Sequence, residues 1–197
     1  LSSDGSRVAI GANGNTNING ANSGHVRIYD WNGSAWIQVG SDIDGEAAND
    51  YSGYSVSLSS DGSRVAIGAY LNDDNGPNSG HVRIYDWNRS AWVQVGIDID
   101  GEAVEDRSGS SVSLSSDGSR VAIGARYNDG TSGNAGHVRI YEYSNNSWTQ
   151  LGTDIDGEAI NDWTGLSVSL SSDGSRVAIG AINHNGNGND SGHTRIY

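Results

Sequence analysis

Twelve carboxylates recur as three sets of four. Asp42, Asp44, Glu46 and Asp50 return as Asp98, Asp100, Glu102 and Asp106, and again as Asp154, Asp156, Glu158 and Asp162. Each set begins in the phrase DIDGEA. Oxygen ligands at alternating positions around a Gly suit a hard cation such as calcium. An EF-hand loop needs more ligands at set spacing, and DIDGEA is a fragment of one. Without a metal, such acids repel one another unless Arg holds them, and Arg64, Arg83 and their equivalents recur at the same period. Two readings therefore stand: acids held structurally by Arg, or a calcium site.

Other residue types recur as well. His25, His81, His137 and His193 each begin a strand-like run. One His per unit sets neighbours too far apart to share an ion, which favours a structural hydrogen bond. Trp36, Trp92 and Trp148 recur with Trp31, Trp87 and Tyr143 just before them. They could stack on sugars, but large aromatics also pack well between repeated units. Sequons stand at Asn32, Asn88, Asn145 and Asn189. They are glycosylation candidates where the host glycosylates, although Ser- and Asn-rich turns also produce the pattern by composition. No G-x-S-x-G elbow marks a nucleophile, and an active site would break the symmetry of the repeats, so no enzymatic activity is expected.

These residues are positioned by a tandem repeat. LSSDGSRVAIGA begins at Leu1, Leu58, Leu114 and Leu170, so the period is about 56 residues. GHVRIY follows at Gly24, Gly80 and Gly136, and GHTRIY at Gly192. Such a period marks a solenoid, an array or a propeller. In the second copy, YSVSLS, RVAIGA, HVRIYDW and WVQVGIDI each alternate apolar with other residues. The last lines up Val93, Val95, Ile97 and Ile99. Period two over four to eight residues predicts strands, and the Asx/Gly/Ser segments between them predict turns. The expected fold is all-β, a β-propeller-type array of four-stranded antiparallel blades. The phasing gives a partial blade lacking its first strand (1–50), full blades (51–106 and 107–162) and a partial blade lacking its fourth strand (163–197). The ring is incomplete, so completion by further repeats or by other copies is expected.

Composition removes several partners. The net charge is −13 and every cation is Arg, which disfavours nucleic acid and anionic membranes. No apolar run reaches the roughly 18 residues of a membrane span. There is no Cys and so no thiolate chemistry. The 29 Gly residues argue against helices, where each costs about 1 kcal/mol relative to Ala. The first residue is not Met and falls inside a repeat, so the chain is expected to be a window on a longer protein.

The stretch DRSGSSVSLSSDGSRVAIGA…GHVRIY resembles the FG-GAP repeat of integrin-α-type β-propellers. In that family a Phe-Gly pair precedes the first strand and Gly-Ala-Pro ends the second. Here Ser52-Gly53, Ser108-Gly109 and Thr164-Gly165 hold the first place. Gly68-Ala69 and its equivalents hold the second, followed by Tyr70, Arg126 or Ile182 instead of Pro. The resemblance covers the whole chain. It implies partner binding on the face that carries the loop after the second strand. That family's calcium cage lies between the first two strands, where this chain offers only SSDGS with one Asp.

The functional expectation is a non-catalytic repeat protein, extracellular or at the cell surface, for adhesion or for binding another protein or a glycan. Its partner loops would present Asp73, Asp74, Asp129 and Asp190 beside the DGEA linkers. A fibre or filament subunit completed by neighbouring copies is the alternative, and a glycan-binding lectin a further one. Calcium is the one cofactor suggested.

Overall fold

Alternating β-branched residues with Gly and Asx turns between them suit a pleated strand and cannot sustain a helix. The computed structural model, which describes residues 1–197, contains strands and turns and no helix. The strands form four antiparallel sheets. The first holds β1 (Arg7–Ala12), β2 (His25–Trp31), β3 (Trp36–Gln38) and β4 (Ile43–Asp44). The second holds β5 (Ser55–Leu58), β6 (Arg64–Ala69), β7 (His81–Trp87), β8 (Trp92–Gln94) and β9 (Ile99–Asp100). The third holds β10 (Ser108–Leu114), β11 (Arg120–Ala125), β12 (His137–Ser144), β13 (Ser147–Gln150) and β14 (Ile155–Asp156). The fourth holds β15 (Ser167–Leu170), β16 (Val177–Ala181) and β17 (His193–Ile196). The whole is a β-propeller-like array in which each sheet is a blade.

The fourth run of each repeat departs from the expected single strand. WVQVGIDI is split into β8 and β9, both paired with β7. Gly96 takes a φ of 78° between them, a value that favours Gly. The extra residues bulge, so the line of four apolar side chains is broken. Val95 and Ile99 are buried, whereas Ile97 is 82 % exposed. Gly40 and Gly152 break the first and third blades at the same place.

Both faces of a blade are apolar because both are covered. Val65 and Ile67 join Val26, Ile28 and Ile43 of the preceding blade. Ala66, Val82, Ile84 and Ile99 join Leu114, Val121, Ile123 and Trp148 of the next. The core therefore lies between sheets, and a lone sheet could not bury either face.

Polar contacts repeat at each interface. Ser3 N–H donates to Ser60 O, Ser60 N–H to Ser116 O and Ser116 N–H to Ser172 O, each at 2.8 Å. Ser55 and Ser111 hydroxyls donate at 2.7 Å to the carbonyls of Gly109 and Gly165. Arg64 forks onto Asp86 and gives its third N–H to Gly118 O of the next blade. Arg7 does the same with Asp30 and Gly62, while Arg120 gives two N–H groups to Glu142 Oε1 and a third to Gly174 O. The indoles of Trp92 and Trp148 donate at 2.9 Å to Val39 O and Val95 O of the preceding blade. Neutral bonds of this kind contribute about 1 kcal/mol each.

Backbones of neighbouring blades crowd where Gly11, Gly68 and Gly124 meet Gly53, Gly109 and Gly165 of the next blade. A Cβ on any of the first three would overlap the partner carbonyl. The first glycine of the Gly-Ala pair and the glycine before the first strand are therefore two sides of one contact. Replacing Gly68 with Ala is expected to destabilise the fold by ~1–3 kcal/mol or more in denaturant unfolding. Gly14→Ala, where a Cβ meets nothing within 4 Å, should change stability by less than about 0.5 kcal/mol.

The SSDGS turns give a pH prediction. Ser6 N–H and the Ser2 and Ser6 hydroxyls bond the Asp4 carboxylate and lower its pKa to about 2. Asp117 is lowered likewise by Ser119 N–H and the Ser115 hydroxyl. A depressed folded pKa adds stability that is complete above the unfolded value of about 3.9 and is lost as pH falls through the folded one. Thermal unfolding should lose this contribution between about pH 4 and pH 2, and Asp117→Asn should show a shallower acid decline than the parent.

Candidate functional site

Strand alternation puts the loops after β6, β11 and β16 on one face with the linkers between blades. Asn75 Nδ2 donates at 2.7 Å to Gly101 O, and Thr131 Oγ1 at 2.7 Å to Gly157 O. Asn78 Nδ2 reaches Glu105 at 2.8 Å. Different residues in the variable loops thus tie each loop to its own linker. Asp73 and Asp129 are exposed, yet each accepts a backbone N–H within its loop, from Asn78 and Asn134. Asp190 is exposed and its N–H donates to Asn185. Asp74 turns towards His81, with 3.7 Å between Oδ2 and Nδ1.

The four acids of each set go to different places. Asp50, Asp106 and Asp162 are buried, where they accept the N–H of Ala47, Ala103 and Ala159. Asn72 and Asn128 complete the first two, and burial pushes the Asp50 and Asp106 carboxyls up. Asp42 and Asp98 are held by Arg27 and Arg83. Arg27 keeps the Asp42 carboxyl below the usual range. Asp44, Asp100 and Asp156 lie in β4, β9 and β14, and burial raises the latter two. Glu46, Glu102 and Glu158 cross to the next blade, where they pair with Arg83, Arg139 and Arg195. In none of the three sets do all four acids come together.

Acids from two repeats instead gather around the histidines. Glu46, Asp74 and Asp98 surround His81, and Glu102 and Asp154 flank His137. Asp42 and Asp44 lie by His25. Burial, with Arg139 nearby, lowers the His137 pKa to about 4, so its ring is neutral at physiological pH. In the fourth blade His184 lies against His193, with ring centroids 3.9 Å apart and Glu158 beside them. Sequence reasoning passed over His184. It stands where Asn72 and Asn128 stand, and it takes over their bond to the buried Asp, with Nδ1 3.0 Å from Asp162. That single exchange in an otherwise repeated position was the available signal. Two or three carboxylates with an imidazole offer mixed nitrogen and oxygen donors, which suit zinc or manganese better than calcium.

The opposite face carries the hairpins. Asn32 and Asn88 are exposed and use Oδ1 to accept the N–H groups of Ser34 and Ala35, and of Ser90 and Ala91. Asn145 is exposed at a hairpin tip, with a φ of 51°, and Asn189 is exposed on the loop face. Trp148 is only 9 % exposed and Trp92 is partly covered, so both serve the blade interface.

Solved structures share the fold at low identity. A provisionally named 6-phosphogluconolactonase from Bacteroides uniformis matches with a TM-score of 0.57 and 14 % identity, over 82 % of this chain and 42 % of its own. A second, from Bacteroides fragilis, matches with a TM-score of 0.52 and 16 % identity, over 80 % and 38 %. KlAtg21, in complex with the coiled-coil of AgAtg16, matches with a TM-score of 0.53 and 15 % identity, over 80 % and 44 %. The chain spans about two fifths of the length of these structures. No curated protein matches it in sequence. Residues 42–85, which run from the split outer strand of one blade into β7 of the next, match the family model described as FG-GAP repeat. Residues 42–85 are thus similar to an FG-GAP repeat, and the same blade plan continues on either side of them in a β-propeller-like array.

Proposed function

We propose that this chain is a non-catalytic binding module, extracellular or at the cell surface, that engages a partner through its acidic loop face. The observation that carries the reading is the division of labour on that face. The linker and strand backbones repeat, while Asp73, Asp74, Asp129 and Asp190 stand exposed on loops whose sequences differ. Loops fixed by a rigid scaffold are where binding residues concentrate. A negative face attracts basic surfaces and loses grip as salt rises. An oligo-arginine peptide is the probe. Its affinity should fall about tenfold or more on going from low to high salt, and should weaken in Asp73→Asn/Asp74→Asn. Asn at 73 keeps the acceptor for Asn78 N–H and removes only the charge. Asn88→Gln, on the opposite face, should bind as the parent does. Loss of binding in Asn88→Gln alone would reverse the face assignment.

A second reading, a subunit of a larger array, rests on Trp36. It is 44 % exposed beside Leu1, Val8, Ile10 and Tyr29, while its counterpart Trp148 is buried against the preceding blade. The same surface is covered wherever a neighbouring blade exists, so further repeats or second copies are its natural occupants. Light scattering of the isolated chain should give a mass above that of one chain, falling towards it in Ile10→Asp. A monodisperse single chain at high concentration would count against this reading.

A further inference from the structure

Nδ1 of His137 is the least explained polar atom on the loop face. The side chain is 1 % exposed and the atom has no hydrogen-bond partner. Two carboxylate oxygens face it, Asp154 Oδ2 at 3.6 Å and Glu102 Oε2 at 3.9 Å. Those separations are too long for hydrogen bonds. They approach the spacing of about 3.4 Å between two ligands on one tetrahedral zinc ion with bonds near 2.1 Å. A buried nitrogen that has no partner and faces two carboxylates calls for a cation between them.

The arrangement occurs twice. His81 is 3 % exposed at its side chain, its Nδ1 also lacks a partner, and Asp74 Oδ2 and Asp98 Oδ2 stand at 3.7 and 3.8 Å. Arg139 meets Glu102 through Oε1, which leaves Oε2 towards the histidine. Arg83 holds Asp98 and Glu46, so at His81 the uncommitted oxygen comes from Asp74. Glu102 and Asp154 are partly exposed, which gives an ion a path from solvent.

We propose that the loop face binds a divalent transition-metal ion of the zinc class, held by His137, Glu102 and Asp154 between two blades and by His81 with Asp74 within one blade. The His137 site takes its ligands from adjoining repeats, so an ion bound there locks a blade junction, whereas the His81 site ties a loop to a strand of its own blade. The imidazole donor separates the site from calcium, which takes oxygen ligands. The fourth blade carries a variant of the plan. His184 Nε2 lies 3.8 Å from Glu158 Oε2, while its Nδ1 faces buried Asp162 at 3.0 Å. A carboxylate that accepts from the other ring nitrogen fixes the orientation of a metal-binding His. The proposal does not depend on the loop face binding a partner.

Equilibrium dialysis of the chelator-stripped 197-residue chain against zinc, and separately against calcium, tests it, with bound metal counted by mass spectrometry. Zinc should bind with a stoichiometry of at least two and should resist a large excess of calcium. Glu102→Gln, a change at a partly exposed side chain that spares the core, should lower the zinc count by one. His137→Gln should do the same, and His81→Gln/His137→Gln should lower it by two. Glu105→Gln, an acid outside both clusters, should bind as the parent does. Parent-level zinc in Glu102→Gln, or calcium uptake without zinc uptake, would overturn the proposal. Should His137→Gln fail to fold, Glu102→Gln still decides.

Discussion

Backbone meeting backbone between blades is the constraint on which the rest of this structure depends. Gly68 lies against Gly109, and Gly124 against Gly165, with no space for a Cβ. That approach brings the inner strands within reach of one another, so that Ser55 and Ser111 can bond the facing carbonyls. It also sets the spacing at which Val82 and Ile84 fill the gap to Val121 and Ile123. Any residue at this contact meets the same neighbours in every repeat. Identical surroundings favour identical residues, and LSSDGSRVAIGA is the segment that makes these contacts. Sequence is free to differ where a side chain leaves the interface, in the loops after β6, β11 and β16.

Much of this was legible beforehand. Strand positions followed from alternation, because Val65 and Ile67 face one neighbour while Ala66 and Gly68 face the other. The sorting of loops and linkers onto one face followed from strand direction alone. The break at Gly96 was not legible, because WVQVGIDI alternates without interruption and only the positive φ at Gly96 turns Ile97 outward. A bulge leaves the apolar pattern intact while changing its register.

The grouping of the acids was hidden for a different reason. DIDGEA reads as one cluster because its acids are close in sequence. In space, Asp98 stays with its own strand, Glu102 reaches the following blade and Asp106 turns inward. Backbone direction reverses within a few residues, so neighbours along the chain face three different environments. Relations such as that of Glu102 to His137 run between repeats, and spacing inside one repeat carries no trace of them. His184 was detectable by comparing repeats position by position, since Asn72 and Asn128 occupy the same place.

The contacts between blades also have a direction. Arg7, Arg64 and Arg120 reach forward to the turn of the following blade, whereas Trp92 and Trp148 reach back to the preceding one. The two sides of a blade are therefore different surfaces, complementary to each other and not to themselves. An assembly that used them would be head-to-tail, with one leading and one trailing end. It would close as a ring or extend as a polar strand, according to the rotation at each step. A two-fold dimer through these surfaces would set like against like and leave each Arg and each indole facing its own kind.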